Sequence, residues 1–237
     1  MERSKKARTS LILPIYNEAG NLKRNFNYIY KTLKDLGRFE IIIAEDGSTD
    51  GSKELARQFA RERRNVRLLS FKERSGRGAA LKRAISIAKG DVIGYIDIDL
   101  AVPLRYVKTA LEMMNNGCDI VVGSRYEGTK IRRSVTRLLA SKAYNLIVNI
   151  VAGSRLDDHQ CGFKFWKSSF IKKEVQEAKD NHWFFDTEVL LDAQRRGLRV
   201  CTLPVSWQEH KESKVKADDP IYFVGAVIRY AANKGRV

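Results

Sequence analysis

The chain has 237 residues, of which 43% are hydrophobic, enough to bury the core of one large domain and too many for a disordered chain. Lysine and arginine total 44 against 28 for aspartate and glutamate, which gives a formal net charge of +16. This excess favours polyanionic partners such as nucleic acid, anionic lipid and phosphorylated substrates, and charge alone does not choose among them. No run of about 20 consecutive apolar residues occurs, so the sequence predicts no membrane-spanning helix.

The N-terminal half alternates strand patterns with helix patterns. Apolar and β-branched runs predict strands within residues 9–16, 39–48, 66–71 and 91–99. Helical spacing of apolar residues predicts helices within residues 18–37, 50–63 and 78–90. Because the strands are apolar throughout and alternate with helices, we expect an α/β fold whose mostly parallel sheet is flanked by helices on both faces.

The C-terminal half follows a less regular pattern. It predicts strands within residues 119–126 and 199–207, helices within 136–153 and 186–197, and a short aromatic segment over 161–170. No linker, repeat or low-complexity tract separates the halves. We therefore expect a single domain over residues 1–237, with the C-terminal half as an elaboration of the sheet.

The cysteines and the N-terminus bear on the cellular setting. Cys118, Cys161 and Cys201 are far apart, odd in number and without a CxxC pair, so the sequence predicts neither a metal knuckle nor a disulfide framework. A reducing cytosol is the simplest setting for such a chain. The first apolar run is interrupted at Pro14, which makes it too short for a signal peptide, and we expect a cytoplasmic protein.

Two carboxylates, Asp97 and Asp99, follow the predicted strand that begins at residue 91. Residues two apart on an extended backbone point to the same face, where two negative charges repel unless a cation lies between them or water screens them. A hard divalent ion such as Mg²⁺ or Mn²⁺, shared with a diphosphate, accounts for the pair. The alternative is a solvated turn after a strand, because short motifs match freely.

A second acidic pair, Glu45 and Asp46, lies at the predicted carboxyl end of another strand, the edge at which parallel sheets bind ligands. A carboxylate there is able to accept a hydrogen bond from a nucleobase or a ribose, with an ordinary turn and helix cap as the alternative. The segment "SGRGAALKRA", residues 75–84, carries glycines into a basic helix start, where backbone amides are able to approach phosphates. A plain turn is the alternative there too.

These features occur with others in a fixed order: "LILPIYNE", "EDGSTDGS", "SGRGAALKRA", "DID", "GSRY", "QCGFKFW" and "WFFDTEVL". Together they resemble family 2 glycosyltransferases with the Rossmann-like GT-A fold, and most of all the dolichyl-phosphate hexose synthases. The resemblance covers roughly residues 9–216. It implies a nucleotide-sugar-binding half over about 9–120 and an acceptor-binding half over about 121–216. Beyond the resemblance, the sequence predicts a C-terminal helix within 217–237 that is a second candidate for membrane contact.

The resemblance also implies roles for individual residues. It places the nucleotide base and ribose against Pro14, Tyr16, Glu18, Ala44 and Asp46. It places the metal and the donor diphosphate at Asp97, Ile98 and Asp99. We also assign Glu45 of the second acidic pair and Arg77 of the glycine-containing segment to the donor site. It implies contacts to the acceptor phosphate for Arg125, Arg137 and Lys214, with Asp99, Arg125 and Lys214 as the catalytic set.

Within the family, the reaction implied is one inverting displacement by an oxygen of a polyprenyl or dolichyl phosphate. That oxygen is already ionised near neutral pH, so a strong general base is not required. Asp186 and Glu188 are expected on the acceptor side, although Glu188 at a helix start fits a cap and a solvated face equally well.

Two departures from the family pattern bear on the donor and the metal. Gln208 stands where mannosyl-transferring relatives usually carry an arginine, which favours glucose from UDP-glucose over mannose from GDP-mannose. Ala101 stands where some relatives carry a polar side chain near the metal.

A polyprenyl acceptor requires a membrane surface. The run "RRSVTRLLASKAYNLIVNIV" places basic residues before apolar ones, which suits a helix on an anionic bilayer, with a core helix as the alternative. We expect peripheral attachment to the cytoplasmic face of a membrane, and a separate membrane subunit is a further option. A basic nucleic-acid-binding protein is the hypothesis from another class, although no known nucleic-acid-binding motif is visible and the acidic strand ends would repel phosphate.

Overall fold

A computed structural model describes residues 8–126, 131–132, 135–208 and 219–237. In this part of the chain the strands are β1 Thr9–Ile15, β2 Phe39–Glu45, β3 Val66–Ser70, β4 Val92–Ile96, β5 Ile120–Ser124, β6 Ile131–Arg132, β7 Phe163–Lys167, β8 Val200–Pro204 and β9 Trp207–Gln208. The helices are α1 Ala19–Leu36, α2 Ser52–Glu62, α3 Arg77–Ile87, α4 Arg105–Asn115, α5 Val135–Ala152, α6 Ser168–Glu177, α7 Phe185–Arg195 and α8 Asp219–Lys234.

Seven strands form one sheet in the order β3-β2-β1-β4-β7-β5-β8. All neighbours run parallel except β7, which is antiparallel to both β4 and β5. The expected mostly parallel α/β sheet is therefore confirmed. The segment predicted only as a short aromatic stretch supplies β7, in the middle of the sheet.

The two faces of the sheet bury separate apolar clusters, which explains why the strands are apolar throughout. In β1, Leu11 and Leu13 enter the cluster beneath α1, α2 and α4, whereas Ile12 enters the cluster beneath α3, α6 and α7. Successive strand residues point to opposite faces, so a strand covered on both sides needs apolar residues at every position. Phe26 and Phe59 stack at 4.2 Å between ring centroids and join α1 to α2.

The structure adds elements that the sequence reading missed. Helix α4 buries Val107, Ala110 and Met114, a helical spacing that was present in the sequence. Helix α6 follows β7 directly. The strand predicted over 199–207 divides into β8 and the short β9, and β9 pairs with β6 in a separate two-stranded sheet.

The prediction that the cysteines form no disulfide framework is wrong. Cys118 and Cys201, which are 83 residues apart in sequence, form a disulfide with their Cα atoms 6.0 Å apart. It joins the start of β5 to β8, and the two strands are neighbours in the sheet. Spacing along the chain carries no information about this pair, because only the sheet topology brings the two cysteines together. Cys161 is a buried free thiol.

Helices α5 and α8 share a third apolar cluster with α7. Val148 from α5 and Val227 from α8 are fully buried in it, and the backbone N–H of Val237 donates to the carbonyl of Ala152 at 2.7 Å. Among the described residues, no helix is both long and apolar enough to cross a bilayer. The division of the chain into a donor half and an acceptor half stays a prediction.

Candidate active site

The carboxyl ends of β1, β2 and β4 lie side by side at one edge of the sheet. Strand β1 has β2 as its neighbour on one side and β4 on the other, so the strand order reverses at β1. In parallel α/β sheets, ligands bind at the carboxyl ends of the strands at such a reversal. Tyr16 directly follows β1, Asp46 follows β2 and Asp97 follows β4. Pro14 and Ala44 are register partners, buried one residue inside these ends.

Glu45 is fully buried and closes the turn after β2. Its carboxylate accepts a hydrogen bond from the Ser70 hydroxyl at 2.5 Å and another from the backbone N–H of Ser48. The expected ligand contact through this carboxylate is not supported by the geometry, because these internal partners hold it away from the surface.

Asp46 ties the end of β2 to the glycine-containing loop before α3. Its two carboxylate oxygens accept the backbone N–H groups of Ser75 at 2.7 Å and Gly76 at 2.9 Å. Gly76 has φ +102°, and a Cβ there would lie 2.5 Å from the carbonyl oxygen of Asn181. The loop therefore requires glycine, and the N-terminus of α3 is held at the same edge as the strand ends.

Tyr16 and Glu18 lie on the loop after β1. The guanidinium of Arg74 stands 4.2 Å from the centroid of the Tyr16 ring, which leaves an aromatic and a planar cationic surface together. Glu18 accepts from the Asn21 side chain at 2.7 Å, and its backbone N–H donates to the Ser52 hydroxyl at 2.8 Å. Both residues are half-buried at the edge, where the resemblance expects a nucleoside.

Asp97 and Asp99 lie on a turn, which corrects the expectation that they extend the strand. Strand β4 ends at Ile96, and the backbone N–H of Leu100 donates to the carbonyl of Asp97 at 3.1 Å. Leu100 has φ 56°, in the left-handed region. The Asp99 carboxylate accepts the N–H of Ala101 at 3.0 Å. The turn still keeps both carboxylates at the sheet edge.

This turn fits a divalent cation by the chemistry of its donors. Asp97 and Asp99 are hard oxygen ligands, and the Asp97 side chain is 38% exposed. The described residues hold no group of three or more histidine, cysteine or acidic side chains arranged for a metal. Mg²⁺ commonly takes one or two carboxylates and completes its shell with water and substrate phosphates, so two acids suffice. Ile98 between them is buried, and its carbonyl accepts from the Asn25 side chain at 2.8 Å.

Arg77, the first residue of α3, contacts the strand-end acid directly. One of its terminal nitrogens lies 2.6 Å from Oδ1 of Asp97, and its Nε lies 3.9 Å from Oδ2 of Asp186. The rings of Tyr95 and Trp183 stand 5.1 and 5.4 Å from the guanidinium carbon. Burial is the largest single influence and lowers the pKa of Arg77, but the charges of Asp97, Tyr95 and Asp186 and the hydrogen bond to Asp97 together outweigh burial and raise that pKa.

A buried lysine, Lys164, contacts two neighbours of Arg77, namely Tyr95 and Asp186. Lys164 of β7 is the register partner of Tyr95 in β4, and its ammonium is fully buried. The ammonium contacts the Cys161 carbonyl at 2.7 Å, the Tyr95 hydroxyl at 3.1 Å and Oδ1 of Asp186 at 3.0 Å. A buried ammonium is tolerated only when paired and hydrogen-bonded, and all three of its donors have partners here.

The two acids of "FFDTEVL" have different surroundings. Asp186 approaches the same arginine as Asp97, because Arg77 lies between the two carboxylates, and its expected place on the acceptor side stays a prediction. Glu188 is buried, and its carboxylate accepts the backbone N–H groups of Lys179 and Asp180 at 3.0 and 2.9 Å. Glu188 thus acts as a cap for the segment before α7, and its expected solvated face is not found.

Arg125 is buried and paired with Asp158, which the sequence reading did not single out. The guanidinium donates from Nε and from a terminal nitrogen, both at 2.7 Å, and the Arg125 backbone N–H donates to the same carboxylate at 3.0 Å. The Trp207 ring lies 5.7 Å from the guanidinium carbon. Arg137 lies in α5, but its side chain and all of Lys214 are outside the described residues, so the expected group of three phosphate-binding cations stays a prediction.

The two departures from the family pattern meet in the fold. Ala101 is buried directly after the acidic turn, and its carbonyl accepts the backbone N–H of Gln208 at 3.1 Å. Strand β9 is thereby attached to the turn that carries Asp97 and Asp99. A substitution near Gln208 is therefore positioned to affect the donor site.

Sequence reasoning missed the residues that support Asp97 and its partner Arg77, which are Tyr95, Gly162 and Lys164. One signal was available, because a lysine within the otherwise apolar and aromatic "CGFKFW" is unusual for a buried strand. The contacts themselves arise between β4, β7 and α7, and no local pattern reports them.

A sheet of this order, with acids at the strand ends, is the GT-A architecture, and comparisons with solved structures agree. Glucosyl-3-phosphoglycerate synthase from Mycobacterium tuberculosis, in complex with Mn²⁺, UDP-glucose and phosphoglyceric acid, superposes with a TM-score of 0.69 at 18% identity, covering 98% of this chain and 81% of that chain. Mannosyltransferase PcManGT from Pyrobaculum calidifontis, in complex with GDP-Man and Mn²⁺, superposes with a TM-score of 0.59 at 17% identity, covering 99% of this chain and 77% of that chain. At these identities the likeness shows the fold.

Sequence comparisons identify the family. Residues 10–178 match the model described as Glycosyl transferase family 2. The chain is 38% identical over 224 residues to glycosyltransferase AglD of Haloferax volcanii, covering 92% of this chain and 36% of that protein. It is 28% identical over 235 residues to dolichyl-phosphate beta-glucosyltransferase ALG5A of Trichomonas vaginalis, covering 94% of this chain and 72% of that protein. The chain belongs to glycosyl transferase family 2, and it spans about a third of AglD.

Proposed function

We propose that the protein transfers a single hexose from a nucleotide sugar to a polyprenyl or dolichyl phosphate, with inversion and with the help of a divalent cation. The observation that carries the proposal is the meeting of Tyr16, Asp46 and Asp97 at one sheet edge, at the point where the strand order reverses. Similarity to dolichyl-phosphate beta-glucosyltransferases supports the acceptor class.

The donor would lie across the ends of β1, β2 and β4. The stacked Tyr16 and Arg74 offer a surface for the base, and Asp46 with the loop at Gly76 lies beside it. The diphosphate would lie near the N-terminus of α3, where the helix dipole and the Arg77 side chain favour anions, while the N–H groups of Ser75 and Gly76 remain bound to Asp46. Mg²⁺ or Mn²⁺ at Asp97 and Asp99 would supply charge neutralisation for the leaving diphosphate.

The work of the protein's own residues is then positioning and charge compensation. Donor and acceptor are both anions and repel each other unless cations lie between them. Arg77 at the donor edge, Arg125 and the predicted Arg137 and Lys214 are the cations assigned to this task. The phosphate oxygen of the acceptor is itself the nucleophile, so orientation contributes more than proton removal.

UDP-glucose is the favoured donor and GDP-mannose the alternative. Gln208 replaces the arginine usual in mannosyl-transferring relatives, and its strand is hydrogen-bonded to Ala101 beside the acidic turn. Several of the most similar curated relatives are named beta-glucosyltransferases. Solved structures of the same fold hold either UDP-glucose or GDP-Man with Mn²⁺, so the fold itself does not choose the base.

Contact with a membrane is assigned to one face of α5. Leu139, Leu146 and Ile150 are 61%, 58% and 62% exposed, and their spacing places them on one side of the helix. We name these three residues the α5 stripe. Val148, on the other side, is buried against α7 and α8, so α5 is neither a pure core helix nor a free surface helix. A bilayer on the cytoplasmic side would cover the stripe and present the lipid phosphate.

Calorimetric titration with UDP, GDP and their glucose and mannose conjugates, with and without Mn²⁺, tests the donor. We expect metal-dependent binding of UDP and UDP-glucose, and loss of the metal dependence in Asp97→Asn. Transfer to a detergent-solubilised polyprenyl phosphate then tests the acceptor. Binding of none of the nucleotides, together with salt-sensitive binding of RNA or DNA, would instead support the nucleic-acid hypothesis.

Flotation with vesicles tests the membrane contact. Leu146→Ser with Ile150→Ser should reduce co-flotation with anionic vesicles. Tyr28→Ser is the matched control, because Tyr28 is a large side chain on α1 that is 57% exposed. Equal flotation of the wild type and the stripe variant would remove the stripe from the proposal.

A further inference from the structure

One oxygen of the Asp97 carboxylate is paired with a cation of the protein, and the other packs closely against a glycine. Oδ1 lies 2.6 Å from Arg77, and Oδ2 faces Gly162 so closely that a Cβ on that glycine would lie 1.8 Å away. A divalent cation and a guanidinium compete for the same carboxylate oxygen, because both are cations. Binding of a metal at Asp97 therefore competes with the Arg77 contact and weakens it.

The carboxylate of Asp186 also lies close to the Arg77 guanidinium. Oδ2 of Asp186 lies 3.9 Å from the Arg77 Nε, about 1 Å beyond hydrogen-bond distance. Asp186 is itself fixed, because Lys164 and the Tyr95 hydroxyl both bind its Oδ1. The Oδ2 side of a buried, immobile carboxylate thus faces the guanidinium.

The surroundings of Arg77 allow a short movement between these two acids. Its guanidinium carbon lies 5.1 and 5.4 Å from the ring centroids of Tyr95 and Trp183, which attract the cation without forming an ion pair. With Lys164 included, the charges of Asp97, Asp186, Arg77 and Lys164 cancel, and Asp99 adds one further negative charge to the metal site. An arriving divalent ion adds positive charge next to Arg77 and repels it towards Asp186.

Resting on the function proposed above, we propose that Arg77 is a positioning residue that occupies Asp97 in the metal-free protein and moves to Asp186 when the divalent cation binds. Lys164 and Tyr95 hold Asp186 as the receiving carboxylate. The "CGFK" segment is then explained as a support: Gly162 admits Asp97, and Lys164 anchors Asp186. Arg77 is released from the acid only as the metal takes its place.

The test is a titration of the protein with Mn²⁺ in the absence of nucleotide. The electron paramagnetic resonance signal of the free ion measures how much Mn²⁺ remains unbound. Arg77→Gln removes the competitor and should tighten Mn²⁺ binding about tenfold, the size expected for one charge-assisted hydrogen bond. Asp186→Asn removes the receiving carboxylate and should weaken binding. The double variant should bind like Arg77→Gln alone, because Asp186 acts only through Arg77.

The matched control is Arg83→Gln, which removes the same charge from the same helix at an exposed position over the Phe71 ring. It should leave Mn²⁺ binding unchanged. If Asp186→Asn weakens Mn²⁺ binding equally with and without Arg77, Asp186 has a merely structural role and the proposal is overturned.

Asp97→Asn separates this proposal from the function on which it rests. If neither the wild type nor Arg77→Gln binds Mn²⁺ in an Asp97-dependent way, the metal site of the proposed function fails. If Asp97-dependent binding is present but Arg77→Gln does not tighten it, only the exchange of Arg77 between the two acids fails.

Discussion

Gly162 stands against the carboxylate of Asp97, and the two residues are also joined by their backbones. The N–H of Asp97 donates to the carbonyl of Gly162 at 3.1 Å, at the point where the antiparallel strands β4 and β7 end their pairing. A Cβ on Gly162 would lie 1.8 Å from Oδ2 of Asp97. The acidic turn therefore depends on a glycine that lies 65 residues further along the sequence.

Gly162→Ala should displace Asp97 and weaken metal-dependent UDP binding by on the order of tenfold or more, as for a lost charge-assisted contact. Calorimetry measures the effect. Gly20→Ala is the matched control, because a Cβ there meets nothing within 4 Å. Unchanged UDP binding in Gly162→Ala would show that Asp97 is not part of the donor site.

Arg125→Ala should destabilise the fold as well as affect catalysis. The substitution leaves the buried Asp158 carboxylate without its partner, and breaking a buried pair in this way costs about 3 to 5 kcal/mol. Urea unfolding measures the loss, and Arg125→Ala with Asp158→Ala should recover part of it. Undiminished stability in the single variant would mean that the pair contributes nothing to folding. Any change in the transfer rate of Arg125 variants would then reflect the loss of a role in the active site.

Reduction of the Cys118–Cys201 disulfide should lower the free energy of unfolding. Opening a loop of 83 residues removes a constraint on the unfolded chain worth about 4.5 kcal/mol in the chain-entropy description. Urea unfolding with and without reductant measures the change, and Cys118→Ser should match the reduced wild type. A reductant effect that persists in Cys118→Ser with Cys201→Ser would contradict this assignment.

His159 should make stability depend on pH below neutrality. It is fully buried, with Nδ1 2.7 Å from the Asn145 amide oxygen and Nε2 2.7 Å from the Ser154 hydroxyl. Burial lowers the pKa of His159 from 6.5 to about 4. The unfolded chain therefore binds one more proton than the folded chain between these two values.

The stability contributed by neutral His159 is complete above pH 6.5 and is lost as the pH falls towards 4. At about 1.4 kcal/mol per pKa unit the loss amounts to about 3 kcal/mol. Urea unfolding from pH 7 to pH 4.5 should show a shallower decline for His159→Gln than for the wild type. Parallel declines would indicate that His159 is not held neutral by the fold.

Local patterns in the sequence are sufficient to predict most elements of the N-terminal half of the molecule. The strands β1 to β4 and the helices α1 to α3 were predicted from apolar periodicity, because a strand buried on both faces and an amphipathic helix each leave a local pattern. The strand-end positions of Tyr16, Asp46 and Asp97 followed from the same pattern, since parallel strands align their carboxyl ends. The family was also recognisable from short motifs in order.

Tertiary structure alone decided how those motifs work together. The insertion of β7 between β4 and β5 brings Gly162 against Asp97 and Lys164 against Asp186, and the same sheet brings Cys118 beside Cys201. These contacts join residues tens of positions apart, so their energies depend on strand order and burial rather than on neighbouring residues. The charges of Arg77, Arg125 and Lys164 look alike in sequence, and only burial and paired carboxylates distinguish their roles.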